Sequence, residues 1–214
     1  MILEKNEIIK VLDILDETYP DVDYSMLEFS TPFELLVATI LSAQATDVSV
    51  NKATEKMFKK ANTPEDFARL DLKTIESYIR SIGLYKNKAK YILATSKILI
   101  SDYNSEVPVD KKELMKLPGV GRKTANVVLS NAFDIPAIAV DTHVFRVSNR
   151  IGLAEAKSVD LTEKQLENNI DKSRWRKTHH QLITHGREIC KARKPLCSQC
   201  PIKGVCLYFR RKHD

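Results

Sequence analysis

Four cysteines give this 214-residue chain its clearest chemical feature. They fall within 17 residues, spaced C-x6-C-x2-C-x5-C, at Cys190, Cys197, Cys200 and Cys206. We expect no disulfide framework, because a chain of this size does not need one and all four thiols share one short segment. Free core cysteines would lie on apolar faces, whereas lysines, arginines and a proline surround these. The pattern therefore predicts a metal site with four cysteine ligands.

The spacing leaves the metal open between zinc and iron. Structural zinc sites usually combine two pairs of cysteines separated by roughly two to four residues, and this segment has one such pair. Four thiolates on a compact loop suit a [4Fe–4S] cluster at least as well. Either group would hold a loop that cannot fold alone, so we expect its role to be structural and electrostatic rather than redox.

A glycine-rich turn between two short helices could bind phosphate. It lies in Leu117-Pro-Gly-Val-Gly-Arg-Lys-Thr-Ala125, where Gly119 and Gly121 allow close approach of the backbone. The N–H groups of the turn and of the helix that follows would form an anion site. An ordinary helix–turn–helix corner would need only one glycine, so the motif favours binding to the DNA backbone.

The positive charge of the chain is concentrated at its C-terminal end. The net charge is +6, and residues 187–214 hold eight Lys/Arg against two Asp/Glu, so the preceding residues balance to zero. A basic end favours an anionic polymer as partner, because clustered cations release counterions from phosphates. A solvated tail that serves only solubility would explain the charge alone equally well.

The elements that position these groups are predicted to be helices. Apolar residues recur every three or four positions, and no strand pattern exceeds four residues, so the fold class is predicted to be all-α. No apolar stretch is long enough for a bilayer and the start resembles no targeting peptide, so we expect a cytoplasmic protein without membrane insertion. Five helices are predicted to follow an N-cap: from Thr31 (a capping box with Glu34) to about Ser42, Asp47 to Ala61, Asp71 to Gly83, Asp110 to Leu117 and Asp141 to Ile151. Three more are predicted over 86–103, 122–133 and 173–190, and an irregular tail follows the last.

Together these motifs resemble the endonuclease III family of DNA glycosylases. The likeness rests on the run 117–125, on Val140-Asp-Thr-His143, on Leu41-Ser-Ala-Gln-Ala-Thr-Asp47 and on the cysteine spacing. It implies two helical lobes with DNA in a cleft between them. The implied lobes are a six-helix lobe at 25–135, with a helix–hairpin–helix motif at about 110–133, and an iron–sulfur lobe that combines 1–24 with 136–214 and carries the cluster loop 190–206.

The resemblance also implies a mechanism. Lys123 would attack C1′ of a damaged nucleotide and displace the base, and Asp141 would accept a proton or steady positive charge on the sugar. Attack by an amine leaves an imine, so the same site would cleave the strand by β-elimination. From residue chemistry alone, Lys123 could instead bind phosphate, and Asp141 could be a plain N-cap.

Further DNA contacts follow from the same resemblance. A base inside the stack must be flipped out. Gln44 would fill the vacated space, Leu84 would wedge into the stack, and His143 would support the bent backbone, although each residue type alone is more often structural. The other candidate contacts are Gly119, Gly121 and Thr124 of the hairpin and Lys191 and Arg193 of the basic loop.

The resemblance implies that the partner is double-stranded DNA with abasic sites or damaged bases, oxidised pyrimidines above all, and we expect a monomer to bind it. Two alternatives stay open. An adenine-mismatch glycosylase of the same superfamily would lack the lysine and add a C-terminal domain, whereas this chain continues for only eight residues after Cys206. A non-catalytic DNA-binding protein would use the hairpin and the metal loop as a scaffold.

Overall fold

The computed structural model describes residues 1–22 and 25–213. These ranges hold only helices, turns and loops, so the all-α prediction is confirmed. None of the described helices combines the length and the apolar character that crossing a membrane requires. The α-helices are α1 (Lys5–Thr18), α2 (Pro32–Ser42), α3 (Asp47–Phe58), α4 (Pro64–Arg69), α5 (Leu72–Tyr78), α6 (Tyr85–Asp102), α7 (Lys111–Leu114), α8 (Arg122–Ala132), α9 (Thr142–Ile151), α10 (Val159–Asn169), α11 (Trp175–Glu188) and α12 (Leu207–His213), with 3₁₀ turns at Lys172–Arg174 and Cys197–Gln199.

The chain divides into two compact units. The cysteine unit combines Met1–Tyr24 with Pro136–Asp214, and the hairpin unit is Ser25–Ile135. The role of these units as DNA-binding lobes stays a prediction.

The hairpin unit is built around α2, which packs against α3, α6 and α8. Its residues from Phe33 to Leu41 are all buried, including Glu34 and Thr39. A helix surrounded on all sides must be largely apolar all round, which explains why residues 35–41 of the sequence lack a polar face. Helix α6 lies against α2, α4 and α5 and contacts the hairpin through Thr95.

The cysteine unit is built around α9, which packs against α10, α11 and α12. Its apolar face, with Val144, Val147 and Ile151, is buried together with Leu12 and Leu15 of α1. The irregular tail predicted after Cys190 is only partly right, because the chain turns helical again at α12. Leu207 explains this, since its buried side chain anchors the start of α12 to the core.

Several predicted helix boundaries were wrong for local reasons. Thr46, not Asp47, caps α3, because its Oγ1 accepts the N–H of Ser49 at 3.2 Å, and α3 ends at Phe58. Helix α5 ends at Tyr78, well before Gly83, because Ile79 leaves the helical region. Helix α7 ends at Leu114, and α11 starts two residues later than predicted, after a 3₁₀ turn.

Four of the five predicted caps form, one of them in part: Thr31, Asp71, Asp110 and Asp141 each accept N–H groups in the first turn of their helix. Asp141 caps α9, which runs from Thr142 to Ile151 as the sequence indicates. Thr31 Oγ1 accepts the N–H of Glu34 at 3.1 Å, but the Glu34 carboxylate accepts the N–H of Ser30 rather than that of Thr31. Only half of the predicted capping box therefore forms, and the buried Glu34 instead fixes the residue before the cap.

Gly152 provides a test of the packing in the cysteine unit. It ends α9 with a φ of +104°, and a Cβ there would lie 2.5 Å from Cδ1 of Leu207. We expect Gly152→Ala to lower the free energy of unfolding by about 2 to 4 kcal/mol, through the left-handed backbone and the overpacking together. Gly204→Ala is the control, because a Cβ there meets nothing within 4 Å. Urea midpoints that are equal for the two variants would contradict this packing.

Candidate nucleic-acid interface and metal centre

The hairpin between α7 and α8 is held from behind by α6. Gly119 has a φ of +80°, and a Cβ on it would lie 3.0 to 3.1 Å from Tyr91 side-chain atoms. The hydroxyl of Thr95 donates to the carbonyl of Pro118 at 3.1 Å. The backbone conformation of the hairpin and its packing against Tyr91 therefore require a glycine at position 119. A Cβ on Gly121 would meet nothing within 4 Å, so this glycine leaves open space in front of α8.

The start of α8 carries the proposed nucleophile. Gly121 occupies the N-cap position and has no side chain to cap the first N–H groups of the helix, which leaves them available to an anion. Lys123 and Thr124 lie in this first turn, and Lys123 is exposed. Within the described chain, the Lys123 ammonium forms no hydrogen bond or ion pair, so it is free to meet a ligand.

Gln44 and Leu84 lie on two neighbouring loops of the hairpin unit. Both are exposed, and both have left-handed backbones, with φ of +55° and +60°. A Cβ on Gly83 would lie 3.9 Å from the carbonyl oxygen of Gln44, which shows how closely the two loops approach each other. The left-handed conformation costs a residue with a side chain roughly 1 to 2 kcal/mol. The structure therefore brings these two candidate residues together.

Asp141 binds the start of α9 with one of its two carboxylate oxygens. Its Oδ1 accepts the N–H groups of His143 and Val144, each at 2.8 Å. Its other oxygen, Oδ2, accepts no hydrogen bond within the part of the chain that the structure describes. The two interpretations of Asp141 are thus compatible, because capping occupies one oxygen and leaves the other for a reacting group.

His143 is fixed by α9 and α11. Its Nδ1 lies 3.2 Å from Nη2 of Arg146, and a Cβ on Gly186 would lie 3.0 Å from the same nitrogen. Because the guanidinium can only donate, Nδ1 accepts and the proton of the neutral ring belongs on Nε2. Burial lowers the pKa of His143, which favours this neutral form. The ring therefore offers an Nε2–H donor to a ligand.

The basic loop after α11 is clamped to α9 by two arginines. Arg146 donates to the carbonyls of Cys190 and Gly186, at 3.1 and 2.9 Å. Arg150 donates to the carbonyls of Lys191 and Ala192, at 2.8 and 3.0 Å. The backbone of this loop is thus fixed while the Lys191 and Arg193 side chains stay exposed.

All four cysteines line one pocket of the cysteine unit. Within residues 1–22 and 25–213, no three His, Cys, Asp or Glu side chains lie close enough together to hold a single metal ion. Four thiolates around one pocket are the donor set that a [4Fe–4S] cluster uses. Burial raises the pKa of Cys200 to about 11 and also raises that of Cys206, so ligation must displace protons from both thiols.

Sequence reasoning missed the residues that hold the loops in place. Arg146 and Arg150 are spaced four apart on α9, a spacing that indicates a shared face but not their carbonyl partners. Lys88, which is buried in α6, carries no sequence signal that distinguishes it from the other lysines of this helix. These residues could be found only from the folded chain.

Two family models match this chain. The HhH-GPD superfamily of base excision DNA repair proteins matches residues 37–172, which is more than half of the chain. The iron–sulfur binding domain of endonuclease III matches residues 190–206, the cysteine segment.

Individual proteins match over nearly the whole length. Endonuclease III of Rickettsia prowazekii is 52% identical over 200 residues, covering 94% of each chain. Endonuclease III of Escherichia coli is 49% identical over 206 residues, covering 96% of this chain and 97% of its own. A solved structure of a trapped endonuclease III–DNA covalent intermediate superposes with a TM-score of 0.93 at 49% identity, covering both chains completely.

The metal loop yields a prediction about Cys197. We expect Cys197→Ser to lose bound iron and its visible charge-transfer absorption, and to weaken binding to any DNA duplex, because the loop that carries Lys191 and Arg193 loses a cross-link. Iron content and duplex affinity measure the effect. Ser198→Ala, an exposed change in the same loop, should keep both. Full duplex affinity in an iron-free Cys197→Ser protein would contradict the structural role.

Proposed function

Because this chain belongs to the endonuclease III family of HhH-GPD base excision DNA repair proteins, we infer how its own residues carry out that repair. The protein is a bifunctional enzyme, a DNA glycosylase and an abasic-site lyase. It binds DNA and carries a [4Fe–4S] cluster on its four cysteines. The roles of its individual residues, its lesions and its monomeric state are our proposals.

Lys123 is the nucleophile in this proposal. The observation that carries the assignment is its exposed, unpaired ammonium in the first turn of α8, next to backbone N–H groups that can hold a phosphate. A phosphate bound there would bring the sugar of the same nucleotide within reach of Lys123. Its neutral amine forms a bond to C1′, and the electrons of the glycosidic bond leave with the base.

Asp141 is the acid–base partner. Its capping bonds to α9 fix the carboxylate, and the free Oδ2 can accept the proton that the amine loses on attack. The same negative charge stabilises positive charge that develops on the sugar as the base departs. The cap supplies the rigidity that such a group needs.

The covalent product explains the second activity. Once the sugar ring opens, the lysine nitrogen is held to C1′ as an imine, which makes the C2′ proton acidic. Removal of that proton forms a C2′–C3′ double bond and expels the 3′ phosphate, so the strand breaks. Water then releases the enzyme from the opened sugar.

The remaining candidates hold and bend the DNA. Backbone N–H groups at Gly119, Gly121 and Thr124 bind phosphate oxygens, and the basic loop adds charge from Lys191 and Arg193. Gln44 and Leu84 occupy the space left by the flipped nucleotide, and His143 donates from Nε2 to the bent backbone. When bound to the four cysteines, the cluster would cross-link the basic loop. The lesions are oxidised pyrimidines, and a monomer acts on cytoplasmic DNA.

The basic loop is tested by salt dependence. We expect Lys191→Ala with Arg193→Ala to weaken binding to damaged and undamaged duplexes alike. The slope of log affinity against log salt should become shallower by about one for each phosphate that the loop no longer neutralises. Lys164→Ala, an exposed lysine of α10, is the matched control. A salt slope equal to that of the unmodified enzyme would contradict the assignment.

The nucleophile is tested by Lys123→Gln. The glutamine keeps much of the side-chain length, so binding to lesion DNA should persist through the phosphate contacts. Base release, strand cleavage and borohydride trapping should be lost together, because each passes through the same amine. Retention of base release with loss of strand cleavage alone would show that water is the nucleophile in the glycosylase step.

Asp141→Asn tests the acid–base role separately. Asparagine still caps a helix, so α9 should survive, but the amide accepts no proton. We expect base release to fall by about 10²- to 10⁴-fold, the usual range for loss of an acid–base group. Trapping on a preformed abasic site should persist in part, because no base has to leave. Ser158→Ala, which removes the cap of α10, controls for a general effect of weakened capping in the same unit.

A further inference from the structure

Lys88 is a buried cation that pairs with backbone carbonyls instead of a carboxylate. Its side chain is only 3% exposed, and its Nζ donates to the carbonyls of Leu41 and Ala43 at 2.9 and 2.6 Å. Within the described residues it has no acidic partner. The two carbonyls end α2, where the helix dipole favours a positive charge. Burial lowers the pKa of Lys88, because desolvation disfavours the charged ammonium.

The same residue also reaches the second loop. The backbone N–H of Lys88 donates to the carbonyl of Leu84 at 3.1 Å, as part of the first turn of α6. One residue therefore joins the end of α2 to the start of α6. Gln44 directly follows Ala43, whose carbonyl binds the Lys88 ammonium, and Leu84 itself accepts the Lys88 N–H.

The loops that carry Gln44 and Leu84 both need contacts that hold their backbones in place. Gln44 and Leu84 hold left-handed backbones that their side chains disfavour, and both are exposed, so their own side chains contribute little to holding them there. The Nζ bonds of Lys88 fix the backbone directly before Gln44, and its N–H binds the carbonyl of Leu84. A buried ammonium with two carbonyl acceptors is a rigid link, because its movement would leave a charge and two carbonyls without partners.

We propose that Lys88 is the positioning residue that holds Gln44 and Leu84 together in the arrangement that fills the gap left by the flipped nucleotide. This rests on the DNA roles proposed above for Gln44 and Leu84. Lys88 touches no nucleotide and acts through the two loops. Its loss should therefore impair flipping of a stacked nucleotide and leave the amine chemistry of Lys123 intact.

Lys88→Met is the test variant, because methionine keeps the length and removes the charge and the donors. Ile92→Val, a buried change one turn further along α6, is the control for general loosening of this helix. Flipping is followed by the fluorescence of 2-aminopurine placed beside the lesion in a duplex. We expect the fluorescence step and the single-turnover rate of base release to fall on the order of tenfold in Lys88→Met, and to stay near the unmodified values in Ile92→Val. Borohydride trapping on a single-stranded abasic oligonucleotide, which has no stack to open, should be unchanged in both.

A double-mutant cycle separates positioning from ordinary stability. Residues that act as one unit have non-additive effects. Lys88→Met should therefore cause little further loss of the fluorescence step when Gln44→Ala and Leu84→Ala are already present. A full further tenfold loss in that background would overturn the proposal and leave the wedge roles of Gln44 and Leu84 standing. Should Lys88→Met not fold, Lys88→Gln, which keeps an N–H donor, carries the same cycle.

The other outcomes are equally decisive. If Gln44→Ala and Leu84→Ala leave the fluorescence step unchanged, the proposed wedge roles fail, and the role of Lys88 fails with them. If trapping on the single-stranded abasic oligonucleotide falls as far as base release, Lys88 supports the catalytic step instead of flipping, and the positioning role is overturned.

Discussion

One face of α6, together with its N-cap, holds every loop of the hairpin unit to which we assign a DNA contact. Leu84, Lys88, Tyr91 and Thr95 are spaced four, three and four apart, so they share one face of the helix. Leu84 begins the helix, Lys88 holds the end of α2, Tyr91 packs on the glycine of the hairpin, and Thr95 binds a hairpin carbonyl. A single rigid element therefore sets the position of the nucleophile's hairpin relative to the wedge residues.

In the cysteine unit, α9 holds the functional groups in place as α6 does in the hairpin unit. The helix begins at Asp141, and its two arginines donate to carbonyls of the loop that carries the first cysteine ligand. The cluster loop has few buried apolar side chains, so its shape depends on ligation and on these backbone contacts. Catalytic assistance, the His143 donor and the basic surface thus depend on one helix and one cross-linked loop.

The sequence predicted local features well and distant ones poorly. The Asp141 cap and the bounds of α9 were predicted correctly, because a cap depends on residues three positions apart. The cap of α3 was predicted at Asp47 and lies at Thr46, since both residue types cap well and only the fold decides. Gly119 and Gly121 look alike in sequence, yet only Gly119 is packed against Tyr91. Lys88 was missed because its acceptors lie 47 and 45 residues earlier in the chain.

The central claim is that an amine at the start of α8 forms the covalent bond to the sugar. Borohydride reduction freezes that imine, and proteolysis with mass spectrometry locates the attached nucleotide on the chain. The account predicts a single modified peptide, with the sugar remnant on Lys123. Attachment to another lysine, Lys88 or Lys191 for example, or to the N-terminal amine, would contradict it.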